Sequence, residues 1–301
     1  MKKKVLAGLL TLTMIAGTIA GCGNAASASG DETPIVVGSK DFTESIIIGE
    51  IYALALEDAG IPVERKLQIG SQIIHDSLIN KEIDVYPEYT GTGLVSHLGM
   101  DPIYDPEECY ETVKKEYEDQ FQITWLDHSN VNDSEGLVVS KSAAEQYNLT
   151  TISDVWANAS NLTLAGNGEF FEAAATYPRL MEIYGNVTFK DEVTMDHNLT
   201  FTAAKNGEVD VISAYTTEGS LSGNDFVILE DDKQCWPPYY LAPVIRDEVL
   251  GSHPDAQEIL NKVTATFTDE NVIAMNAAVD IDGEDFEDVA ADYYDSIKDS
   301  L

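Results

Sequence analysis

Residues 80–93 read NKEIDVYPEYTGTG, and residues 206–219 read NGEVDVISAYTTEG. Seven of these fourteen positions are identical without a gap, and Ile83/Val209 is a conservative exchange. Each copy reads as the end of a helix, a short apolar strand and a Tyr-Thr turn. In open α/β sheets, ligands bind beyond the carboxyl ends of the strands. Tyr89 and Tyr215 therefore stand where a site would form, one in each copy. Two equivalent lobes facing each other would make a cleft with a tyrosine on each wall.

Outward from this echo, apolar strands alternate with amphipathic helices. Residues 35–38 read as a buried strand and 43–59 as a helix, with Thr43 as its N-cap and Gly60-Ile61-Pro62 as its stop. A strand at 63–69, a helix at 73–80 and a strand at 83–86 follow. Further on, helices are expected at 106–119, 142–147 and 199–206. Strands are expected at 136–139, 162–164 and 209–213. Residues 169–184 read as helical with an interruption at Pro178, and 255–301 as mostly helical. This alternation predicts parallel βαβ units. The expected architecture is α/β with two lobes: residues 34–137 plus 238–301 form the first, 138–237 the second, and the chain crosses between them twice.

The chain has 301 residues, 44% of them hydrophobic, which suffices for two cores. Its net charge of −36 would repel a polyanion, so nucleic acid is excluded as a partner. The same charge suits a monomer working outside a cell. Lys2, Lys3 and Lys4 open the chain, residues 5–19 are apolar, and Ile19-Ala20-Gly21-Cys22 follows. A charged start, a short apolar run and small residues before a cut describe a signal peptide at 1–21. The motif resembles a bacterial lipobox, which implies a lipid on Cys22. Residues 22–33, rich in Gly, Ala, Ser and Asn, would then tether the folded part to the membrane. Cys109 and Cys235 fall in no metal-ligand spacing and are expected as unpaired buried thiols, a disulfide being the alternative outside the cell.

The chemistry to look for in such a cleft follows from its tyrosines. A quaternary ammonium has no N–H to donate, so aromatic faces hold it, at about 0.5–2 kcal/mol per ring. Tyr89, Tyr215 and Tyr239 are the first candidates, with Phe42, Phe170, Trp236 and Tyr240 behind them. Trp236-Pro237-Pro238-Tyr239-Tyr240 is stiffened by its prolines and suits a crossover that also presents a ring. The anionic end of a zwitterion needs donors: backbone amides at Thr90, Gly91, Thr92, Thr216 and Thr217, and the ammonium of Lys40. Glu44, Glu88, Glu135 and Glu218 are the carboxylates placed to oppose a cation. No His pairs with a Cys or another His at metal spacing, and GxSxG, P-loop and GxGxxG patterns are absent from the sequence. Neither an enzyme, a metal nor a cofactor is expected.

Four segments together carry a resemblance: Gly38-Ser39-Lys40-Asp41-Phe42-Thr43-Glu44, the run from Glu82 to Gly93, Ala214-Tyr215-Thr216-Thr217-Glu218-Gly219, and Pro237-Pro238-Tyr239. They resemble the glycine betaine/choline-binding proteins of osmoprotectant ABC importers, over residues 34–300. The resemblance implies a two-lobe periplasmic-binding-protein fold, type II-like, that closes around its ligand by hinge motion. It implies a small cationic or zwitterionic solute, an ABC permease as partner, and a tyrosine cage at Tyr89, Tyr215 and Tyr239. One departure bears on the ligand: Glu135 stands where such proteins usually carry an aromatic. A carboxylate there trades a ring for direct charge attraction. Choline, glycine betaine or a related betaine is the expected ligand class. Carnitine, ergothioneine or a ligand-sensing role at the surface are the alternatives.

Overall fold

The computed structural model describes residues 33–301. The expected leader, Cys22 and all but the last residue of the expected tether lie outside the described residues. The first half runs through strand β1 (Ile35–Lys40), helix α1 (Thr43–Asp58), strand β2 (Val63–Ile69), helix α2 (Ile74–Ile79) and strand β3 (Val85–Tyr89). A single turn, α3 (Thr90–Thr92), widens into a π-turn at Gly93–His97, and α4 (Pro106–Phe121) and β4 (Ile123–Trp125) complete this half. The second half contains β5 (Glu135–Ser140), α5 (Lys141–Tyr147), α6 (Ile152–Asn158), β6 (Thr163–Gly166), α7 (Gly168–Glu172), α8 (Tyr177–Tyr184), β7 (Asp191–Thr194), α9 (His197–Lys205), β8 (Val211–Tyr215) and β9 (Phe226–Ile228). The chain then returns through β10 (Leu241–Arg246) to α10 (Asp247–Ser252), α11 (Asp255–Thr264), α12 (Asp269–Asp280) and α13 (Phe286–Ile297). Among the described residues, no helix is long and apolar enough to cross a membrane.

The strands form two sheets, ordered β2-β1-β3-β10-β4 and β7-β6-β8-β5-β9. The two orders follow one plan, with β1 matching β6, β3 matching β8 and β10 matching β5. Both sheets are mixed rather than wholly parallel, because β10 runs against β3 and β4, and β5 against β8 and β9. Each reversed strand is the one the chain enters from the other lobe. No helical βαβ crossover joins it to its neighbour, so nothing imposes a parallel direction. The second sheet starts at Glu135, two residues ahead of the expected boundary at 137. Apolar clusters cover both faces of each sheet. All five residues of β3 are buried, including Pro87. Proline is unusual in a central strand because it cannot donate to the ladder. Here Pro87 faces Pro243 across the pair, so neither opposed residue has an N–H to leave unsatisfied.

The repeated stretch is one structural unit used twice. Asn80 and Asn206 follow α2 and α9 and donate to the carbonyls of Asp76 and Thr202. The next residue turns left-handed in both copies, Lys81 with φ 64° and Gly207 with φ 72°. In both copies the Glu that follows donates its N–H five residues back, Glu82 to Ser77 and Glu208 to Ala203, which closes a Schellman turn. Asp84 and Asp210 then stitch the strand to its neighbour. Their carboxylates accept the N–H of Val36 and Thr163, each at 2.8 Å, while their own N–H groups donate to the carbonyls of those same residues.

Two local expectations are corrected. Thr43 does not cap α1; Phe42 occupies the cap without a side-chain bond, and the Thr43 hydroxyl donates instead to Asp280 on α12 at 2.6 Å. The helical reading of 169–184 is in fact two helices. Pro178 lies in the first turn of α8, where its missing N–H leaves no intrahelical bond broken.

Candidate functional site

The crossovers run as an antiparallel pair. Asn132 bridges to Tyr240, the Asp133 N–H donates to the Tyr239 carbonyl at 3.1 Å, and the Tyr239 N–H donates to Asn132 Oδ1 at 2.7 Å. The threonine after each strand-end tyrosine fixes one crossover. The Thr90 hydroxyl donates to the Pro238 carbonyl at 2.9 Å and accepts the Tyr240 N–H at 3.0 Å. Its own N–H donates to the Tyr240 carbonyl. In the other lobe the Thr216 hydroxyl donates to the Asn132 and Ser134 carbonyls and accepts the Ser134 N–H at 3.0 Å. The Thr216 N–H donates to the Ser134 carbonyl. Both threonines were expected to offer donors to an anion. Their donors are instead consumed by the crossovers, because a buried chain segment without regular structure must find partners for its backbone groups.

Between the lobes, a cavity of about 460 Å³ is lined by Tyr89, Tyr215 and Tyr239 together with Lys40, Phe42, Thr92, His97 and Asp133. A second cavity, of about 850 Å³, shares Phe42, Asp133 and Tyr215 with it and extends along α12 past Glu44 and Asn276. Tyr89 ends β3 and Tyr215 ends β8, so the matched tyrosines do reach one space. Tyr89 is buried, whereas Tyr215 is 49% exposed on the facing wall. Phe42 leans on Tyr89, with centroids 5.9 Å apart. The Tyr239 ring packs against Gly91, where a Cβ would lie 2.7 Å from its Cε1; only a residue without a side chain fits there.

Charge is distributed unevenly around these rings. Glu88 is buried, and its carboxylate takes the Lys40 ammonium, the Tyr86 hydroxyl at 2.8 Å, the Tyr89 N–H at 2.7 Å and His97 Nε2 at 3.1 Å. Burial opposes its ionisation, but Lys40 and His97 outweigh that and hold the carboxyl at about 2. Lys40 lines the cavity and its ammonium lies 4.9 Å from the Tyr89 centroid, yet its charge is spent on Glu88. Glu88 is likewise unavailable to a guest.

Glu44 differs. It accepts the Tyr89 hydroxyl at 2.7 Å and the Asn276 amide at 3.1 Å. Burial, with the nearby Asp133 carboxylate, raises its pKa to about 8. Asp133 accepts the Thr217 hydroxyl at 2.8 Å, and burial raises it to about 6. The sequence reading passed over Asp133 as a site residue. Its signal was its place in the segment that precedes Glu135.

The remaining candidates scatter. Glu135 lies opposite Tyr215 on the neighbouring strand and lines, with Thr216, a third cavity of about 420 Å³ beside the crossovers. Burial raises its pKa, while a bond from the Tyr215 hydroxyl lowers it. Glu218 is paired with His197 at 2.9 Å and accepts the Tyr215 N–H at 2.6 Å. Phe170 and Trp236 are core residues of the second lobe. Tyr240 packs on His128. Cys109 and Cys235 are both free and buried.

Comparison with known proteins identifies the family of the chain. A family described as the substrate-binding domain of the ABC-type glycine betaine transport system matches residues 33–296. The ergothioneine transport permease/ergothioneine binding protein EgtU of Helicobacter pylori is 32% identical over 89% of this chain, which spans 48% of that longer protein. The carnitine transport binding protein OpuCC of Listeria monocytogenes is 31% identical, over 93% of this chain and 92% of that protein. The crystal structure of a glycine betaine/carnitine/choline ABC transporter superposes with a TM-score of 0.83 at 26% identity, covering 88% of this chain and 98% of that one. The family match covers almost the whole described chain, which belongs to the OpuAC family, the substrate-binding domain of ABC-type glycine betaine transport systems.

Proposed function

We propose that this protein is the extracytoplasmic receptor of an ABC importer, tethered by a lipid on Cys22, and that it captures a quaternary-ammonium solute between its lobes. The observation that carries this reading is the meeting of Tyr89, Tyr215, Tyr239 and Phe42 around one cavity that also contains Asp133. Three of the rings come from separate supports, namely β3, the end of β8 and the second crossover. Closing the lobes brings Tyr215 toward the other rings and removes water from all of them. Desolvation is what lifts a cation–π contact from roughly 0.5–1 to about 2 kcal/mol. Four such rings supply on the order of 2–8 kcal/mol, and the fully desolvated upper end is that of a micromolar receptor.

The sharing of Tyr239 and Asp133 between cage and crossovers supports closure on binding. Both residues lie on the paired segments that link the lobes, so a guest that touches them touches the hinge. Choline, glycine betaine, carnitine and ergothioneine, the solutes of its relatives, are the ligands to test. Titration calorimetry with these four tests the reading. Binding of at least one, weakened by loss of a cage ring, is the expected result. No heat from any of them would refute it.

A further inference from the structure

The cavity wall along α12 carries acceptors from Glu44, Asp133 and Asn276. Glu44 is 3% exposed, and neither it nor Asp133 has a basic side chain within ion-pair distance among the described residues. The Asn276 amide spends its N–H groups on Glu44 and on the Thr217 carbonyl, at 3.1 and 2.8 Å. Both partners are acceptors, which fixes the amide orientation. Asn276 is 5% exposed, and its Oδ1 accepts from no group among the described residues. All three residues line the cavity or cavities that contain Tyr215 and Phe42. A buried acid and a half-buried one, neither of them in an ion pair, beside an unspent carbonyl leave a cluster that a positive, donor-bearing guest would complete. A buried carboxylate without a partner otherwise keeps its proton.

Resting on the reading above, we propose that Glu44, Asp133 and Asn276 form a charge-selecting subsite: a net-cationic quaternary ammonium with a hydroxyl or N–H donor enters, one proton leaves the acid pair, and a carboxylate-bearing betaine is disfavoured. The exchange balances, because the guest brings one positive charge and one proton passes to the buffer. The raised pKa values of Glu44 and Asp133, about 8 and about 6, supply a proton near neutral pH. The other charged or titratable groups facing the pair do not replace it. Tyr89 is a donor to Glu44, Lys40 is held by Glu88, Glu218 is held by His197, and Asp280 adds another negative charge from α12. Choline and glycine betaine make the discriminating pair of probes. They share the trimethylammonium head, but only choline has a net charge and a donor.

The experiment is titration of the full chain with each compound at pH 7, in phosphate and in Tris, whose ionisation heats differ. Choline is expected to bind at least tenfold tighter than glycine betaine. Its heat should differ between buffers by a proton release approaching one, and its affinity should rise by up to about tenfold per pH unit across the window between the two pKa values. Glu44→Gln and Asp133→Asn should each reduce the release. Should either variant unfold, as judged by circular dichroism, the wild-type proton count and the choline preference decide alone. Buffer-independent heats, or equal affinity for the two compounds, would overturn the subsite while leaving the aromatic receptor intact. Persistence of the full release in both folded variants would do the same. Absence of binding by choline, glycine betaine, carnitine and ergothioneine alike would overturn the receptor reading and the subsite with it.

Discussion

Tyr215→Ala is the substitution that separates binding from folding. Tyr215 ends β8, is 49% exposed, and its backbone N–H is held by Glu218 whatever side chain it carries. Removing the ring therefore opens no core cavity. The stability change should stay within about 0.5 kcal/mol, as for ordinary surface positions. For a chain of this size that is a shift of roughly 2 °C or less in Tm. On the proposed reading the loss in binding is larger, because closure would desolvate the ring against the ligand. A desolvated cation–π contact of about 2 kcal/mol corresponds to a roughly 30-fold rise in Kd. Calorimetry on the variant measures the rise, and differential scanning fluorimetry measures the Tm. Tyr215→Phe is the control. It keeps the ring and loses only the hydroxyl that faces Glu135, so its Kd should stay within about threefold of wild type, well under 1 kcal/mol. Wild-type affinity in Tyr215→Ala would refute the role of this ring. A loss in Tyr215→Phe as large as in Tyr215→Ala would show that the hydroxyl, not the π-face, does the holding.

Gly91→Ala places a methyl 2.7 Å from Tyr239 Cε1 and 2.9 Å from the Pro238 carbonyl oxygen, so ring and crossover must move; affinity should fall by about tenfold or more, as expected when one ring contact is displaced, measurable in the same titration. Thr90→Val leaves the Tyr240 N–H and the Pro238 carbonyl without their side-chain partner in a buried site. The expected cost is about 1–3 kcal/mol of stability, read from urea denaturation, and an unchanged midpoint would remove the threonine's role as a crossover clamp. Glu88→Ala strands the Lys40 ammonium under the cage; at roughly 3–5 kcal/mol for an uncompensated buried charge, Tm should drop by about 10 °C. Cys22→Ala should move the protein from the detergent phase to the aqueous phase in a detergent partition assay, and continued partition into detergent would argue against the lipid.

The echo between residues 80–93 and 206–219 made much of the fold legible in advance. Its identical residues are local devices: an asparagine at each helix end, an aspartate that stitches the strand to its neighbour, a tyrosine at the strand end and a threonine after it. Local devices act through backbone geometry within a few residues, so a single sequence can display them. The alternation of strands and helices was legible for the same reason. Strands β4, β7, β9 and β10 were not foreseen. Three of these have only three or four residues, too short for a period to register. The six-residue β10 follows two prolines and carries a third at its middle, which reads as a loop until Pro87 is seen opposite.

The sequence by itself determined two similar α/β halves, a strand-end tyrosine in each, and the aromatic segment that returns between them. Those follow from periodicity and short-range chemistry, and they hold whatever the halves do next. Tertiary structure alone decided which polar groups remain available to a guest. Lys40 and Glu88 are 48 positions apart and cancel one another, and Thr90 and Pro238, 148 apart, satisfy one another. Glu44 and Asp133, by contrast, line one cavity and neither is in an ion pair among the described residues. Whether a charge is spent depends on its neighbours in space and on the water removed around it, and neither quantity is written in the order of residues along the chain.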